Sequence, residues 1–253
     1  MTDELVHHHE DNGVHTLTLD SPHNRNALSS QLLGQLAQGL RDATTDASSR
    51  VVVITGSGTV FCSGADLSER NKGVTTGMPE ILSMITSSPA PVVARVNGHA
   101  RAGGIGLIAA ADLSVAPTKA SFGFSEVRVG VAPAMIMVPA LRVVDRRFLS
   151  QMCLTGETFD ATAAQQAGLL TATVDDDTAL DQWVADRILS ILKSAPGAVR
   201  ATKELLESLP GVPWDEALST AQTRSAELFG SAEATEGMDA FLAKRTPSWD
   251  VTG

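Results

Sequence analysis

The chain has 253 residues, is 43% hydrophobic, and carries 19 Lys+Arg against 29 Asp+Glu for a formal net charge of -10. At this length a chain buries roughly three quarters of the surface its unfolded form exposes, enough for a core without disulfides or metals. The acidic balance leaves no basic footprint for a phosphate backbone, and 7 Phe, 3 Trp and no Tyr leave little to stack on bases, which argues against a nucleic-acid partner.

Val14 to Leu19 alternates as a half-buried strand should, and Asp20-Ser21-Pro22 ends it. Ser29 or Ser30 then caps a helix whose Leu32, Leu33, Leu36 and Leu40 recur at helical spacing up to about Ala43. Arg50 to Thr55 is a β-branched run of the kind buried on both faces of a sheet, stopped by Gly56-Ser57-Gly58. Strand, helix, strand is the βαβ pattern, and it returns: Pro79 to Thr86 reads as helix, Pro91 to Val96 as strand, Gly104 to Ala111 as helix, Leu113 to Ala116 as strand. Phe122 to Phe124 is a further short strand, Pro139 to Val144 and Arg146 to Met152 are helical by composition, Ala161 to Gly168 is a helix closed by glycine, and Leu170 to Val174 is a last strand. Beyond Asp175 only helices are expected, over Ala179 to Lys193, Ala198 to Ser208, Trp214 to Phe229 and Ala232 to Ala243. The expected organisation is an α/β core over residues 1–194 and a helical region over 195–253.

The longest stretch without a charged residue, Val51 to Ala65, is shorter than the roughly 18 apolar residues of a spanning helix and is broken by Gly56 and Gly58. The N-terminal MTDELVHHHEDNG is polar and acidic where a secretory signal starts basic and turns apolar. A soluble cytoplasmic protein with no membrane partner is therefore expected. Cys62 and Cys153 make no disulfide framework and read as small core residues.

Two glycine-bearing segments invite chemistry. Gly56 to Leu67 reads as a long uncharged loop ending in Gly64-Ala65-Asp66, whose backbone N–H groups are free to face a ligand; Asp66 reads equally as a helix cap. Asn97 to Leu107 reads as a turn carrying Gly103-Gly104 into a helix. A Gly pair at a helix start lets a substrate reach the backbone and sets N–H groups at the positive helix end, a geometry suited to developing negative charge. Other residues read as structural: His7-His8-His9 alternate in direction along a strand, so no metal site is expected, and His99, Asp112, Met135, Met137 and Met152 are taken as packing or loop-ordering residues.

FCSGADLSE, PVVARVNGHARAGGIGLIAAADLSVA and ASFGFSEVRVGVAP, in this order and spacing, resemble the crotonase superfamily, whose best-known members are enoyl-CoA hydratases and isomerases. HNRNALS, Cys153-Leu154-Thr155-Gly156-Glu157, Ala167-Gly168-Leu169 and Phe241-Leu242-Ala243-Lys244-Arg245 extend the likeness over nearly the whole chain. The AGGIGL loop and SEVRVGVAP segment resemble most closely the bacterial methylglutaconyl-CoA hydratase-like branch. The resemblance implies a ββα spiral core and stabilisation of an enolate formed on an acyl-CoA thioester, with the N–H groups of Ala65 and Gly103 as oxyanion donors. It implies CoA contacts on Asn26-Ala27-Leu28 and on Ser63-Gly64-Ala65-Asp66-Leu67, with Arg25 near a phosphate and Gly104 beside the thioester. Phe241 and Lys244 would reach CoA, in many members that of a neighbouring subunit.

The family's paired glutamates are represented once, by Glu126; the other position holds Gly106, which offers no proton acceptor. Without the family, Glu126 beside Arg128 would read as a solvated pair. Pro133-Ala134-Met135-Ile136 is expected to line the acyl pocket, and Ser68 to Met84 to cover it. The leading expectation is hydration of a 2-enoyl-CoA, followed by isomerisation of a 3-enoyl-CoA to a 2-enoyl-CoA, and then by a non-catalytic acyl-CoA binding protein. No metal or redox cofactor is implied, since CoA arrives with the substrate. A homotrimer or a dimer of trimers is expected.

Overall fold

The computed structural model describes residues 3–72 and 77–251. The chain begins with β1 (Val6–Asp11) and β2 (Val14–Leu19), an antiparallel hairpin turned by Asn12 and Gly13. Both turn residues have positive φ, the conformation that Asn-Gly favours and that matches the twist of the strands. Next come α1 (Ser30–Thr45), β3 (Val51–Gly56), the short β4 (Val60–Cys62), α2 (Met78–Ser87), β5 (Val92–Arg95), β6 (His99–Arg101) and α3 (Gly103–Ala110). They are followed by β7 (Leu113–Pro117), β8 (Ser121–Gly123), α4 (Ala134–Val143), α5 (Arg146–Thr155), β9 (Thr158–Asp160), α6 (Ala161–Gln166) and β10 (Ala172–Val174). Four helices close the chain: α7 (Asp177–Leu192), α8 (Pro196–Ser208), α9 (Trp214–Phe229) and α10 (Ala232–Ala243).

Two sheets result. The first has the order β1-β2-β3-β5-β7-β10 and is parallel from β2 onward; the second has the order β4-β6-β8-β9, with β4, β6 and β8 parallel. Three successive turns of the chain therefore repeat one unit, a strand in the first sheet, a short strand in the second, then a helix. This is the expected ββα spiral. In β3 the consequence is burial of both faces: Val52 and Ile54 join the main core, while Val51 and Val53 pack with Val93, Val115 and the α7 residues Leu180 and Val184. Ser29 caps α1 by accepting from the Leu32 N–H, and the expected leucine stripe is its buried face.

Three expectations need correction. The segment read as an uncharged loop contains β4, and the one read as a turn contains β6; strands of three residues are too short to show an alternating pattern. The helix expected from Pro139 starts five residues earlier, at Ala134, and runs through that proline. Pro139 lies little more than one turn from the start, so the missing N–H removes a single bond to the Met135 carbonyl. Of the Ser68 to Met84 cover, residues 73–76 lie outside the described residues. Among the described residues no helix is long and apolar enough to cross a membrane.

A buried ion pair fastens α8 to this spiral. Lys203, 6% exposed, donates to the Asp112 carboxylate at 2.6 Å and to the carbonyls of Ile85 and Ala90 at 3.1 and 3.3 Å. Asp112 in turn accepts from the Val92 N–H at 2.7 Å, which confirms its structural reading. Removing one partner of such a pair strands the other charge, and the cost is greater when the stranded group is Lys203, 6% exposed, than when it is Asp112, 24% exposed and still open to water. Asp112→Ala is accordingly expected to lower the unfolding free energy by about 3 kcal/mol, and Lys203→Met by less, as read from denaturant midpoints.

Candidate active site

The second sheet sets the site. Because β4, β6 and β8 are parallel neighbours, the residues that follow them stand side by side, at a strand spacing of about 4.8 Å. Ala65 follows β4, Gly103 follows β6 and Glu126 follows β8.

Leu28 binds the residues on both sides of Ala65: its N–H donates to the Gly64 carbonyl at 2.7 Å and its carbonyl accepts from the Asp66 N–H at 3.3 Å. The Ala65 N–H therefore points away from Leu28, and it has no acceptor among the described residues. Gly64 has φ +95°, and a Cβ there would lie 2.8 Å from the Ala102 Cβ. A Cβ on Gly104 would lie 2.7 Å from the Cys62 Cβ. Only glycines let the two loops approach this closely.

Ala102 precedes α3 with φ 47° and ψ -118°, a strained conformation for a residue with a side chain. Its N–H donates to the Gly123 carbonyl at 3.2 Å, tying the end of β6 to the end of β8. With Ala102 turned in this way, α3 opens without a side-chain cap, and the Gly103 N–H stands unpaired among the described residues at the positive helix end. Two free backbone donors on abutting loops can hold an oxygen on which negative charge builds.

Glu126 opens a single 3-10 turn, Glu126–Val129, closed by Gly130 with φ 82°. Its Oε2 is buried and has no hydrogen-bond partner among the described residues. Burial pushes its pKa above the ordinary carboxylate value. The Cys153 thiol on α5, pushed up to about 11 by burial and then by the Glu126 charge, marks its apolar neighbour. The solvated pair with Arg128 does not form; the Arg128 guanidinium donates instead to the Thr155 carbonyl at 3.4 Å. A half-buried carboxylate with one oxygen unengaged and a raised pKa is suited to proton transfer near neutrality.

At Gly106, one turn into α3, a Cβ would lie 2.6 Å from Ile136 Cγ2 and 3.1 Å from Met78 Cε. The space that a second carboxylate would need is filled by hydrocarbon.

The other expected residues divide. Arg25 is exposed with positive φ, and its carbonyl accepts from the Ser63 N–H at 3.1 Å, which places it on the rim of the Ser63–Ala65 loop. The Ser63 hydroxyl donates to the Asn24 carbonyl at 2.9 Å. Asn26 is buried and fully engaged: it accepts from the Ser21 N–H at 2.8 Å and donates to the carbonyls of Ser57, Val60 and Phe61. Its amide is thus a bolt between loops, with nothing left for a ligand. Asp66 is engaged as well, by Asn24 at 3.0 Å and by the Ser68 N–H and hydroxyl, and the Ser68 hydroxyl bond is the main cause of its lowered pKa. That is the capping reading of Asp66. Ala27 and Leu28 are buried, Leu67 is exposed and Pro133 is buried at the start of α4.

Phe241 and Lys244 are exposed, and among the described residues no hydrogen bond or ion pair joins either to these loops. The segment after α10 packs Trp249 against Gly237 and gives its carbonyl to Arg50, which precedes β3.

Elsewhere, His7 pairs with Asp20 at 2.9 Å, while His8 meets His15, which meets Asp46 at 3.1 Å. The exposed His99 engages the Ser121 hydroxyl at 2.8 Å. Among the described residues no cluster of three or more His, Cys, Asp or Glu is arranged to hold a metal ion. Burial raises the Cys62 thiol to about 12 and leaves it unreactive at neutral pH. Sequence reasoning missed Ala102; Met78 and Ile136 fall within the segments expected to cover and to line the acyl pocket, but their meeting over Gly106 was not read. Ala102 carries no signal before its backbone is seen, whereas a glycine inside a helix at Gly106 does hint at a close neighbour.

A profile of the enoyl-CoA hydratase/isomerase family matches residues 9–252. The chain is 34% identical over 239 residues to the 2,3-dehydroadipyl-CoA hydratase of Escherichia coli, which spans 92% of this chain and 93% of that one. It is 29% identical over 261 residues to the 1,2-epoxyphenylacetyl-CoA isomerase of the same organism, spanning 97% and 98%. The crystal structure of an enoyl-CoA hydratase from Mycobacterium smegmatis matches with a TM-score of 0.92 at 33% identity, over 98% of this chain and 99% of that one. The spiral of paired strands, the two glycine loops and the length of the match together make this chain a member of the enoyl-CoA hydratase/isomerase family of the crotonase superfamily.

Proposed function

We propose that this protein hydrates a 2-enoyl-CoA with Glu126 as its one acid/base group. The observation that carries the reading is the unpartnered, buried Glu126 Oε2 beside two free backbone donors, with hydrocarbon where a second carboxylate would stand. The thioester oxygen accepts from the Ala65 and Gly103 N–H groups. Glu126 takes a proton as the water oxygen bonds to Cβ, the negative charge collects on the held oxygen as an enolate, and Glu126 returns a proton to Cα. Each donor contributes about 3 kcal/mol to that charge-developing step. Hydratases among the named relatives support this reading. A lone carboxylate also suits a proton shuttle between carbons, so isomerisation of a 3-enoyl-CoA is the second reading, with an isomerase among the relatives.

In the same reading CoA lies over the Ser63–Leu67 loop with a phosphate at Arg25, and Phe241 and Lys244 complete the site from a neighbouring copy. Their exposure, 82% for Phe241, with Trp214 and Phe229 also bare on α9, supports contact with further copies of the chain, in this reading as a homotrimer or a dimer of trimers; a cytoplasmic location belongs to the same reading. Incubation with a 2-enoyl-CoA and a 3-enoyl-CoA separately tests the function: a 3-hydroxyacyl product supports hydration, and a moved double bond alone replaces it with isomerisation.

Glu126→Gln is expected to lower kcat by at least about 100-fold with acyl-CoA binding retained. Because burial disfavours its ionised form in the folded state, that carboxylate opposes folding above its raised pKa. The same variant therefore melts at a higher Tm near neutrality, whereas a structural glutamate would lower it. A base must be ionised, so kcat/KM falls on the acid side with a midpoint above the ordinary carboxylate range, and a midpoint at the ordinary value contradicts the role. Gly106→Glu is expected to add no activity and to cost about 1 to 3 kcal/mol through overpacking against Ile136, measured by denaturation and by turnover.

A further inference from the structure

The face of α3 that begins with Gly103 continues through Gly106 to Ala110, three and seven positions on, and so forms one line of small residues about 10 Å long. The line leads from the thioester donor to a cavity of about 650 Å³, which Ala110 lines. Side chains cover it along the way. A Cβ on Gly103 would lie 2.5 Å from Leu28 Cδ1 and 3.8 Å from Met78 Cε, and Met78 Cε and Ile136 Cγ2 close over Gly106. Beyond this cover the same two helices turn to the cavity: Pro79 and Leu82 of α2, and Met135 and Pro139 of α4, line it. Met78 and Ile136 thus stand between the thioester site and the cavity.

Resting on the reading of Ala65 and Gly103 as thioester donors, we propose that Met78 and Ile136 form a partition that restricts the enzyme to short, uncharged acyl chains, and that the cavity behind it is an acyl-tail subsite opened when the partition is cut back. From Gly103 to Gly106 the helix rises only about 4.5 Å, so an acyl chain running along this face from the thioester meets the partition within about its first four carbons. The cavity walls are mainly apolar, and its charged groups are neutralised in place, Arg142 by Glu207 at 2.7 Å and Asp112 by Lys203 at 2.6 Å. Nothing there recruits a tail ending in a carboxylate.

The test compares kcat/KM for but-2-enoyl-CoA and dec-2-enoyl-CoA in the full-length wild type, Met78→Ala and Ile136→Ala. Binding of butyryl-CoA and decanoyl-CoA is measured beside it by calorimetry. The wild type is expected to prefer the short chain at least tenfold, and either variant to shift the ratio toward the long chain at least tenfold. Adding Ser83→Trp, which fills the cavity from its exposed edge, to Met78→Ala is expected to restore the short-chain preference. Equal use of both chains by the wild type, or a ratio unmoved in whichever variant folds, overturns the partition. That second outcome is also the one expected if a second copy of the chain occupies the cavity. Failure of Ser83→Trp to restore the preference overturns the subsite. Should no enoyl-CoA turn over, the hydratase reading falls while the butyryl and decanoyl binding ratios still decide the partition; binding of neither ester removes both.

Discussion

Everything in the candidate site depends on the parallel contact of three very short strands. β4, β6 and β8 have three residues each, too few to be stable alone, and they exist because each is the return stroke of a longer strand in the first sheet. Their shared direction sends three different loops out at one edge. One fold rule thereby delivers a free N–H from the first loop, a free N–H from the second and a carboxylate from the third. The contact is only possible where side chains are missing: Gly64 lies against Ala102 and Gly104 against Cys62. The strained Ala102 backbone is held by the Gly123 carbonyl from the neighbouring strand, so the conformation that frees the Gly103 N–H is maintained by the sheet itself.

The second organising principle is the exclusion of polarity around Glu126. A carboxylate with an unengaged oxygen is a cost to the folded chain, and natural folds retain such costs mainly where chemistry uses them. Here the neighbour on α5 does nothing to relieve the cost, since the Cys153 thiol is a weak partner, and on α3 Gly106 is sealed by Ile136 and Met78. Asp66 and Asn26 show the opposite arrangement. Their polar atoms are all engaged, and they fix the loops that carry the backbone donors.

Where the sequence was legible, the signal was local. The leucine stripe and Ser29 cap of α1, the β-branched run of β3, and the Pro- and Gly-bounded helices α9 and α10 all follow from spacing and capping, and the structure reproduces them closely. What escaped was set by tertiary contact. β4, β6 and β9 have three residues each, too few to repeat an alternation, and Pro139 hid the first turn of α4. The glycine loops and Glu126 were found through their motifs, but the engagement of Asn26 depends on carbonyls more than thirty residues away. The cover over Gly106 joins α2, α3 and α4, and no window of the chain contains all three.

Lys203 has a consequence for the order in which this molecule assembles. Its ammonium satisfies two carbonyls and a carboxylate that lie 91 to 118 positions earlier in the chain. While the chain is being synthesised, the segment from Ile85 to Asp112, which includes the whole of α3, is complete long before α8 exists. During that interval the carbonyls of Ile85 and Ala90 and the Asp112 carboxylate must keep their water. The spiral therefore reaches its final packing only after a distant helix arrives, a long-range step of the kind that slows folding and prolongs exposure of unfinished surfaces.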